Sequence, residues 1–285
     1  MSQIRRTDKT VCPLYFYGEH MLETIKRILN SEGIDRFGII PFGECEVINA
    51  RILPENVKSV IIFCIPYRSV KETASDGFSE YSRIYDYHNY SKELYARILT
   101  KLSSALDNPF YGFCDHSPIN EKLAAAKCGL GVIGRNSLFI DEKYGSFIFL
   151  GSLLTTAEIE TEVFDIKSCI NCGKCVSACP GKAITDKGID PQKCLSALSQ
   201  SKRRTESESS ILKKHHIAWG CDICQNICPY NESSVISPIK VFSETRINHI
   251  DKEFIESLSD EEFKKYAFSY KGRKIVLDNI SNINE

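Results

Sequence analysis

The cysteines between positions 169 and 228 constrain the fold of this chain more than any other feature. They form two runs, each ending in Cys-Pro: Cys169, Cys172, Cys175 and Cys179, then Cys221, Cys224 and Cys228. The first run has the spacing C-x2-C-x2-C-x3-C-P, in which three close thiolates ligate one [4Fe-4S] cluster and the fourth ligates a second cluster. This single run therefore predicts two clusters.

Two four-iron clusters require eight thiolates, and the two runs supply seven. Cys194 lies between the runs and completes the set. In crossed ligation, the last cysteine of each run ligates the cluster that the other run holds. This predicts one cluster on Cys169, Cys172, Cys175 and Cys228, and the other on Cys179, Cys194, Cys221 and Cys224. Two structural zinc sites are the alternative, since C-x2-C pairs also suit zinc. Zinc does not need the C-x3-C-P ending, so we favour iron-sulfur clusters.

Composition is that of a soluble globular protein, with 42% hydrophobic and 26% charged residues. The chain has 285 residues, thirteen cysteines and a net charge of -1. No apolar run is long enough to span a bilayer, and the charged N-terminus, with Arg5, Arg6, Asp8 and Lys9, does not have the pattern of a signal peptide. We therefore expect a cytoplasmic protein that does not associate with membranes, with cysteines used for metal or redox chemistry. The near-zero net charge predicts no overall basic field for nucleic acid.

Periodicity before residue 169 predicts a sheet with helices. The expected helices cover residues 20–30, 91–106 and 119–128, and the expected strands cover residues 37–42, 57–65, 110–114, 137–140 and 146–154. A short amphipathic segment is expected at residues 260–268. Between the cysteine runs, residues 202–216 are locally basic, which is typical of a solvated loop and also suits phosphate contact.

Asp115 directly follows the strand predicted at residues 110–114, with Ser117 as the expected N-cap and Pro118 as the first helical residue. Turns from strand to helix often carry catalytic groups in α/β proteins. A helix-capping role is the alternative, and the residues alone favour it. Farther on, residues 129–134 match G-x-G-x-x-G, but a helix precedes them and a strand follows, so we reject a dinucleotide site and expect a helix end and a turn that lets backbone approach a large ligand.

The order of these motifs resembles the epoxyqueuosine reductases, cobalamin-dependent iron-sulfur enzymes that complete queuosine synthesis on tRNA. The resemblance rests on residues 82–88, 115–121, 129–136 and 145–147 and on the cysteine region, including residues 220–225 and 228–231. It implies an α+β or α/β fold: a mixed-sheet cobalamin domain at residues 1–160, a ferredoxin-like domain with two [4Fe-4S] clusters at 161–235, and a short helical tail at 236–285. Many relatives continue with helical repeats that this chain mostly lacks.

The resemblance also implies roles for individual residues. Asp115 matches the proposed proton donor, and burial beside the corrin would raise its pKa. By motif position, the candidate cobalamin contacts are Arg83, His88, Asn136 and Ser146. The expected partners are the anticodon arm of tRNA and an electron donor such as a flavodoxin or ferredoxin system. Two other functions remain open: a corrinoid reductase of a small molecule, and an electron carrier with two [4Fe-4S] clusters.

Overall fold

The computed structural model describes residues 13–285, with side chains from residue 20 onward. The predictions for the N-terminal charges, and Cys12, lie outside these residues. The α-helices are α1 (Pro13–Ser31), α2 (Tyr87–Ala105), α3 (Glu121–Lys127), α4 (Lys174–Ala178), α5 (Leu195–Ser199), α6 (Glu206–Lys214), α7 (Ile223–Asn226), α8 (Lys240–Glu244), α9 (Lys252–Ser257), α10 (Asp260–Phe263) and α11 (Arg273–Asn284). The strands are β1 (Phe37–Pro41), β2 (Ser59–Pro66), β3 (Phe110–Cys114), β4 (Gly131–Ile133), β5 (Phe139–Asp141), β6 (Ile148–Thr155), β7 (Ile184–Thr185) and β8 (Gly188–Ile189).

The four strands of the main sheet run in the order β1-β2-β6-β3. All eight residues of the central strand β2 are buried, because helices cover both faces of the sheet. Residues 61, 63 and 65 pack in a core with α1 and α2, and residues 60, 62 and 64 pack in a second core with α3. Since alternate side chains of a strand point to opposite faces, one apolar run supplies both cores. Each fully buried isoleucine contributes roughly 1.5–3 kcal/mol.

The predicted combination of an N-terminal sheet with helices and a later cysteine-rich region is confirmed, but the sheet itself is not mixed. Its three pairings, β1 with β2, β2 with β6 and β3 with β6, are all antiparallel. The strand expected at residues 137–140 does not join it. Instead β5 pairs with β4 in a separate hairpin, in which Val132 lies opposite Ile140.

The glycine-rich stretch ends α3 and then forms the first strand of this hairpin. Gly129 takes a φ of +71° just after the helix, as predicted for a helix end. At Gly131, however, the expected close approach is made to the partner strand: an added Cβ would lie 1.9 Å from the carbonyl oxygen of Ile140. The glycine therefore serves hairpin pairing, not close approach to a ligand.

The start of α3 also differs from the prediction. Asn120, not Ser117, caps the helix, and its side chain accepts a hydrogen bond from the Leu123 amide at 3.2 Å. Neither Asp115 nor Pro118 is part of the helix. As a result, Asp115 lies in a loop between β3 and α3 and does not cap the helix.

The C-terminal helices pack against the cysteine-rich region. A core around Trp219 includes Phe268 and Val276, and the Asn279 side chain donates to the carbonyl oxygens of Ser199 and Ala218, both at 2.7 Å. The segment predicted at residues 260–268 is interrupted after α10, because Tyr266 is extended and forms a bridge with Tyr85. Among the described residues, we find no helix that combines the length and the apolar composition needed to cross a membrane.

Candidate active site and cluster sites

The eight predicted cysteines lie around two cavities, in the same two sets that the spacing predicts. Cys169, Cys172, Cys175 and Cys228 line a cavity of about 350 Å³, which we call cavity A. Cys179, Cys194, Cys221 and Cys224 line a cavity of about 360 Å³, which we call cavity B. Each cavity therefore has the four sulfurs that a [4Fe-4S] cluster requires.

Short helices and tight turns bring these sulfurs together. Gly173, with a φ of +74°, starts α4, which carries Cys175. Cys194 precedes α5, and Pro229 starts a single 3-10 turn directly after Cys228. Gly181 allows a close approach of two segments, because an added Cβ would lie 1.9 Å from the Lys193 carbonyl oxygen. This contact places Cys179 near Cys194 in cavity B.

Two thiols in cavity B, those of Cys221 and Cys224, are protonated at neutral pH in the absence of metal. Burial raises the pKa of both Cys221 and Cys224 to about 12. In cavity A, burial also raises the pKa values of Cys175 and Cys228. Metal ligation replaces the proton on each sulfur, so loading of these sites would release protons.

The zinc alternative requires side chains that converge on a single ion. Within the described residues, no group of three or more His, Cys, Asp or Glu side chains converges as a single metal ion requires. A structural zinc site needs four ligands within about 2.3 Å of one ion. The described residues therefore contain no preformed site for a single zinc ion.

A third, open cavity lies beside Asp115. It encloses about 900 Å³, part of it open to solvent, and we call it cavity C. Its lining comes from the end of β3, the loop before α3, the β4–β5 hairpin and the start of β6. Tyr87 and Phe149 form one wall, with their rings stacked at a centroid distance of 4.2 Å, and Phe149 stacks in turn on Tyr67 at 4.5 Å.

Asp115 is held in cavity C by a chain of polar contacts. Its backbone has a φ of +64°, a left-handed conformation that is uncommon for aspartate. The carboxylate Oδ2 lies 3.3 Å from His88 Nε2, and His88 Nδ1 lies 2.9 Å from Asp86 Oδ1. Asp86 also caps α2 by accepting from the His88 amide at 2.7 Å, which fixes the histidine in the first turn. Tyr87 lines the same cavity beside Asp115.

These contacts place the proton on His88. Hydrogen bonds to Asp115 and then to Asp86 raise the pKa of His88 to about 9. The hydrogen bond from His88 is the largest influence on Asp115, and it lowers the pKa of that carboxyl. The direction is opposite to the expected rise, because the Asp115 side chain is 58% exposed and has a cationic neighbour. At neutral pH the pair is an imidazolium and a carboxylate.

The prediction from sequence missed Glu121, which also lines cavity C. Its Oε1 accepts a hydrogen bond from the Ser152 hydroxyl at 2.7 Å, and burial raises its pKa to about 8. A glutamate in the first turn of a helix usually interacts with the helix dipole. The sequence around Glu121 therefore does not indicate that its carboxyl is protonated.

The four predicted cobalamin contacts lie in different surroundings. His88 contacts Asp115 at cavity C, and Ser146 lines the same cavity, but its hydroxyl is already bonded to Gln225 and Asn231 at 2.9 and 2.8 Å. Asn136 instead lines cavity A. Arg83 lines none of the three cavities.

Arg83 is buried in the structural framework. Its side chain is 1% exposed and forms an ion pair with Asp76, and it donates to the carbonyl oxygens of Phe78 and Ile247 at 3.3 and 3.2 Å. These contacts tie the loop before α2 to the segment after α8. The cobalamin contact at Arg83 stays a prediction, and in this structure the guanidinium is paired inside the protein and does not line cavity C.

Comparison with known proteins agrees with this arrangement. Residues 168–231 match the family described as "4Fe-4S double cluster binding domain". The epoxyqueuosine reductase of Gloeobacter violaceus is 31% identical over 230 residues, covering 76% of this chain and 71% of that protein. A crystal structure of epoxyqueuosine reductase with an epoxyqueuosine-modified tRNA-Tyr stem loop has a TM-score of 0.74 at 21% identity, covering 95% of this chain and 81% of that one.

A more distant likeness concerns the fold alone. A reductive dehalogenase, whose structure suggests a mechanism for B12-dependent dehalogenation, has a TM-score of 0.51 at 13% identity, covering 91% of this chain and 36% of that one. The identity over most of both chains to the Gloeobacter protein goes further than fold, and it agrees with the double-cluster match and with the two cavities of four cysteines. The chain therefore belongs to the epoxyqueuosine reductase family.

Proposed function

We propose that this protein reduces epoxyqueuosine to queuosine in tRNA, using cobalamin and two [4Fe-4S] clusters. The observation that carries the proposal is the β4–β5 hairpin, whose turn separates the redox site from the substrate site. Gly134, Arg135 and Asn136 line cavity A, whereas Ser137 and Leu138 line cavity C. Electrons held at the cluster in cavity A would thus need to cross only one turn of chain to reach cavity C, which Asp115 lines.

The clusters would occupy the two cysteine cavities. We assign Cys169, Cys172, Cys175 and Cys228 to one cluster and Cys179, Cys194, Cys221 and Cys224 to the other. The match of residues 168–231 to the double-cluster family and the lining of both cavities support this assignment. Crossed ligation ties the two runs together, so loading would also stabilise this region by coupling metal binding to folding.

Cavity C has an apolar wall that suits the flat face of a large macrocyclic cofactor. Ile148, Phe149 and Leu150 at the start of β6 form an apolar strip, and Tyr87 stacks on it. When bound, cobalamin would supply the low-valent cobalt chemistry that protein side chains lack. The chain's own contribution is to flank the cofactor with this apolar wall, which buried Ser146 adjoins in the lining, and to hold acidic groups on the substrate side.

The proton would be delivered by His88 and Asp115 together. Removal of an epoxide oxygen as water consumes two electrons and two protons, and the leaving oxygen needs a general acid. His88 Nε2 holds a proton at 3.3 Å from Asp115 Oδ2. Asp115 would accept this proton from His88 and pass it to the substrate oxygen, and solvent would reprotonate His88 before the second proton is delivered. Displacement of water by the cofactor and substrate would raise the pKa of Asp115 and favour this transfer.

The anticodon arm of tRNA is the proposed substrate carrier. The crystal structure of the relative with a modified stem loop supports it. On this chain, Lys202, Arg203, Lys213 and Lys214 are exposed around α6 and are available for phosphate contact. With such a substrate the protein would act in the cytoplasm, where a small flavodoxin or ferredoxin system would supply the electrons.

The test is anaerobic reconstitution with iron, sulfide and cobalamin, followed by an assay on an anticodon stem loop that contains epoxyqueuosine. We expect two [4Fe-4S] clusters by EPR, bound cobalamin in the optical spectrum, and conversion to queuosine. Protein that binds both cofactors and leaves the modified stem loop unchanged would contradict the proposal.

A substitution at Asp115 tests its role as the proton donor. Asp115→Asn should retain clusters and cobalamin but lower turnover by roughly 10²–10⁴-fold, the usual contribution of a general acid. Asp107→Asn is the matched control, since Asp107 is exposed and lines none of the three cavities. Unchanged turnover in the Asp115→Asn variant would remove Asp115 from the mechanism.

A further inference from the structure

Asn136 has an unused hydrogen-bond donor in the interior of the protein. The residue is 2% exposed, and its Nδ2 has no hydrogen-bond partner among the described residues. An unpaired polar group in the interior is destabilising, because it has lost its hydrogen bonds to water. Such a group in a native protein calls for a ligand or partner that satisfies it.

The surroundings of this amide point to sulfur as that partner. Asn136 lines cavity A, beside Cys175 and Cys228. It also neighbours Cys224 of cavity B. The side chain therefore lies between the two cluster sites, with its donor close to a sulfur that becomes negative on ligation.

The hairpin turn fixes which end of the amide faces the sulfur. Asn136 Oδ1 accepts from the Leu138 amide at 3.4 Å, within the turn itself. Gly134 leaves room for this oxygen, because an added Cβ there would lie 2.4 Å from it. With the oxygen held by the turn, the Nδ2 end is left for the cluster side.

We propose that Asn136 donates an N–H···S hydrogen bond to the Cys224 thiolate and thereby sets the reduction potential of the cluster in cavity B. The inference rests on the proposed function only in that both require the two clusters. A hydrogen bond to a ligating sulfur stabilises the more negative, reduced cluster and raises its potential. Asn136 is thus a positioning residue that acts through a cluster ligand, and no direct contact with cobalamin is needed to explain it.

The experiment is a potentiometric titration of the anaerobically reconstituted protein, followed by EPR. Asn136→Asp keeps the oxygen that accepts from Leu138 and replaces the donor with a negative charge, and Asn136→Leu removes the donor without adding charge. Both variants should shift the midpoint potential of one cluster to more negative values, with the larger shift in the aspartate variant. Asn226→Ala, at an exposed asparagine at the end of α7, should leave both potentials unchanged.

Two outcomes would overturn the inference, and a third concerns the proposed function alone. Two fully loaded variants with wild-type potentials would overturn it. Failure of both variants to bind clusters that the wild type binds would assign Asn136 a folding role and overturn it as well. The titration needs neither tRNA nor cobalamin, so a wild-type protein that loads clusters but does not reduce epoxyqueuosine would contradict the proposed function and leave this test intact.

Discussion

At the scale of single residues, the surroundings of each ionisable group determine its protonation state. Asp115 and Glu121 are both carboxylic acids lining cavity C. The first is half exposed beside a cationic histidine and has a lowered pKa, whereas burial raises the pKa of the second to about 8. Two carboxyls of one cavity thus carry different charges at neutral pH, which is a common arrangement in sites that move protons.

The His88–Asp115 pair predicts a pH dependence of turnover. His88 has its pKa raised to about 9, so its proton is present at neutral pH and is lost as pH rises through 9. We expect turnover on the modified stem loop to fall along that alkaline limb. His88→Asn should lower turnover and remove the limb, and His20→Asn, at an exposed position on α1, should not. An unchanged alkaline limb in the His88 variant would show that another group controls it.

Glu121 predicts a pH dependence of stability. The folded protein binds a proton that the unfolded chain, with a pKa near 4.5, releases, so stability is lost as pH rises from about 4.5 through 8. The loss is on the order of 2 kcal/mol, allowing for partial exposure. Asp115, Cys114 and Tyr95 are the other titratable groups near this carboxyl.

Urea denaturation at several pH values measures this effect. Glu121→Gln keeps the size and the polarity of the side chain and should flatten the decline between pH 5 and 8. Glu162→Gln, at an exposed position, should retain the wild-type slope. Parallel slopes for the two variants would exclude Glu121 as the source.

At the scale of elements, the β4–β5 hairpin is the part that joins the two kinds of site. Its turn lines cavity A on one side and cavity C on the other. The hairpin depends on Gly131, which pairs with Asp141 and has no room for a side chain. Arg36 holds the same region by pairing with Asp141 at 2.8 Å and donating to the Leu130 carbonyl oxygen at 2.9 Å.

Gly131→Ala should therefore disturb both sites at once. The added Cβ would overlap a backbone oxygen, so the strands must separate, at a cost of roughly 1–3 kcal/mol. We expect a lower midpoint in urea and weaker binding of cobalamin. Gly43→Ala is the control, because nothing lies within 4 Å of the added Cβ. Equal stability and equal cobalamin affinity for the two variants would refute this role of the hairpin.

At the scale of the whole molecule, the C-terminal helices and the cysteine-rich region share one core. Phe78 from the N-terminal part, Trp219 from the cysteine region and Val276 from α11 pack in it together. Ile239 and Phe242 pack instead with the sheet and α2. The segment after the cysteine region therefore contacts both preceding parts of the chain, and it acts as a clamp on the cluster sites.

Asn279 tests this clamp. Asn279→Leu would leave two buried carbonyl oxygens, those of Ser199 and Ala218, without their donor. We expect a loss of roughly 2–4 kcal/mol in stability and faster loss of iron from the cluster in cavity B on exposure to a chelator. Asn284→Ala, at the exposed end of α11, should behave as wild type. Iron release at the wild-type rate from the Asn279 variant would contradict the clamp.

Local patterns in the sequence were enough to anticipate much of the fold. The strand at residues 110–114 and the long apolar strand ending near residue 65 follow from side-chain alternation and burial, which are properties of short segments. The helix predicted at residues 91–106 begins four residues earlier, at Tyr87, because the Asp86 side chain supplies the cap. The order of the strands in the main sheet was not predictable, since it depends on contacts between strands that are distant in the sequence.

The grouping of the eight cysteines and the position of Asp115 after a strand were already set by the order of residues, because spacing along the chain limits which sulfurs meet and where a turn falls. What surrounds those residues depends on the folded chain. Folding neutralises Arg83 inside the framework, places a proton on His88, buries Glu121 and leaves the Asn136 amide facing sulfur. The physical reason is that charge, burial and hydrogen bonding depend on neighbours from other segments, which no local pattern specifies.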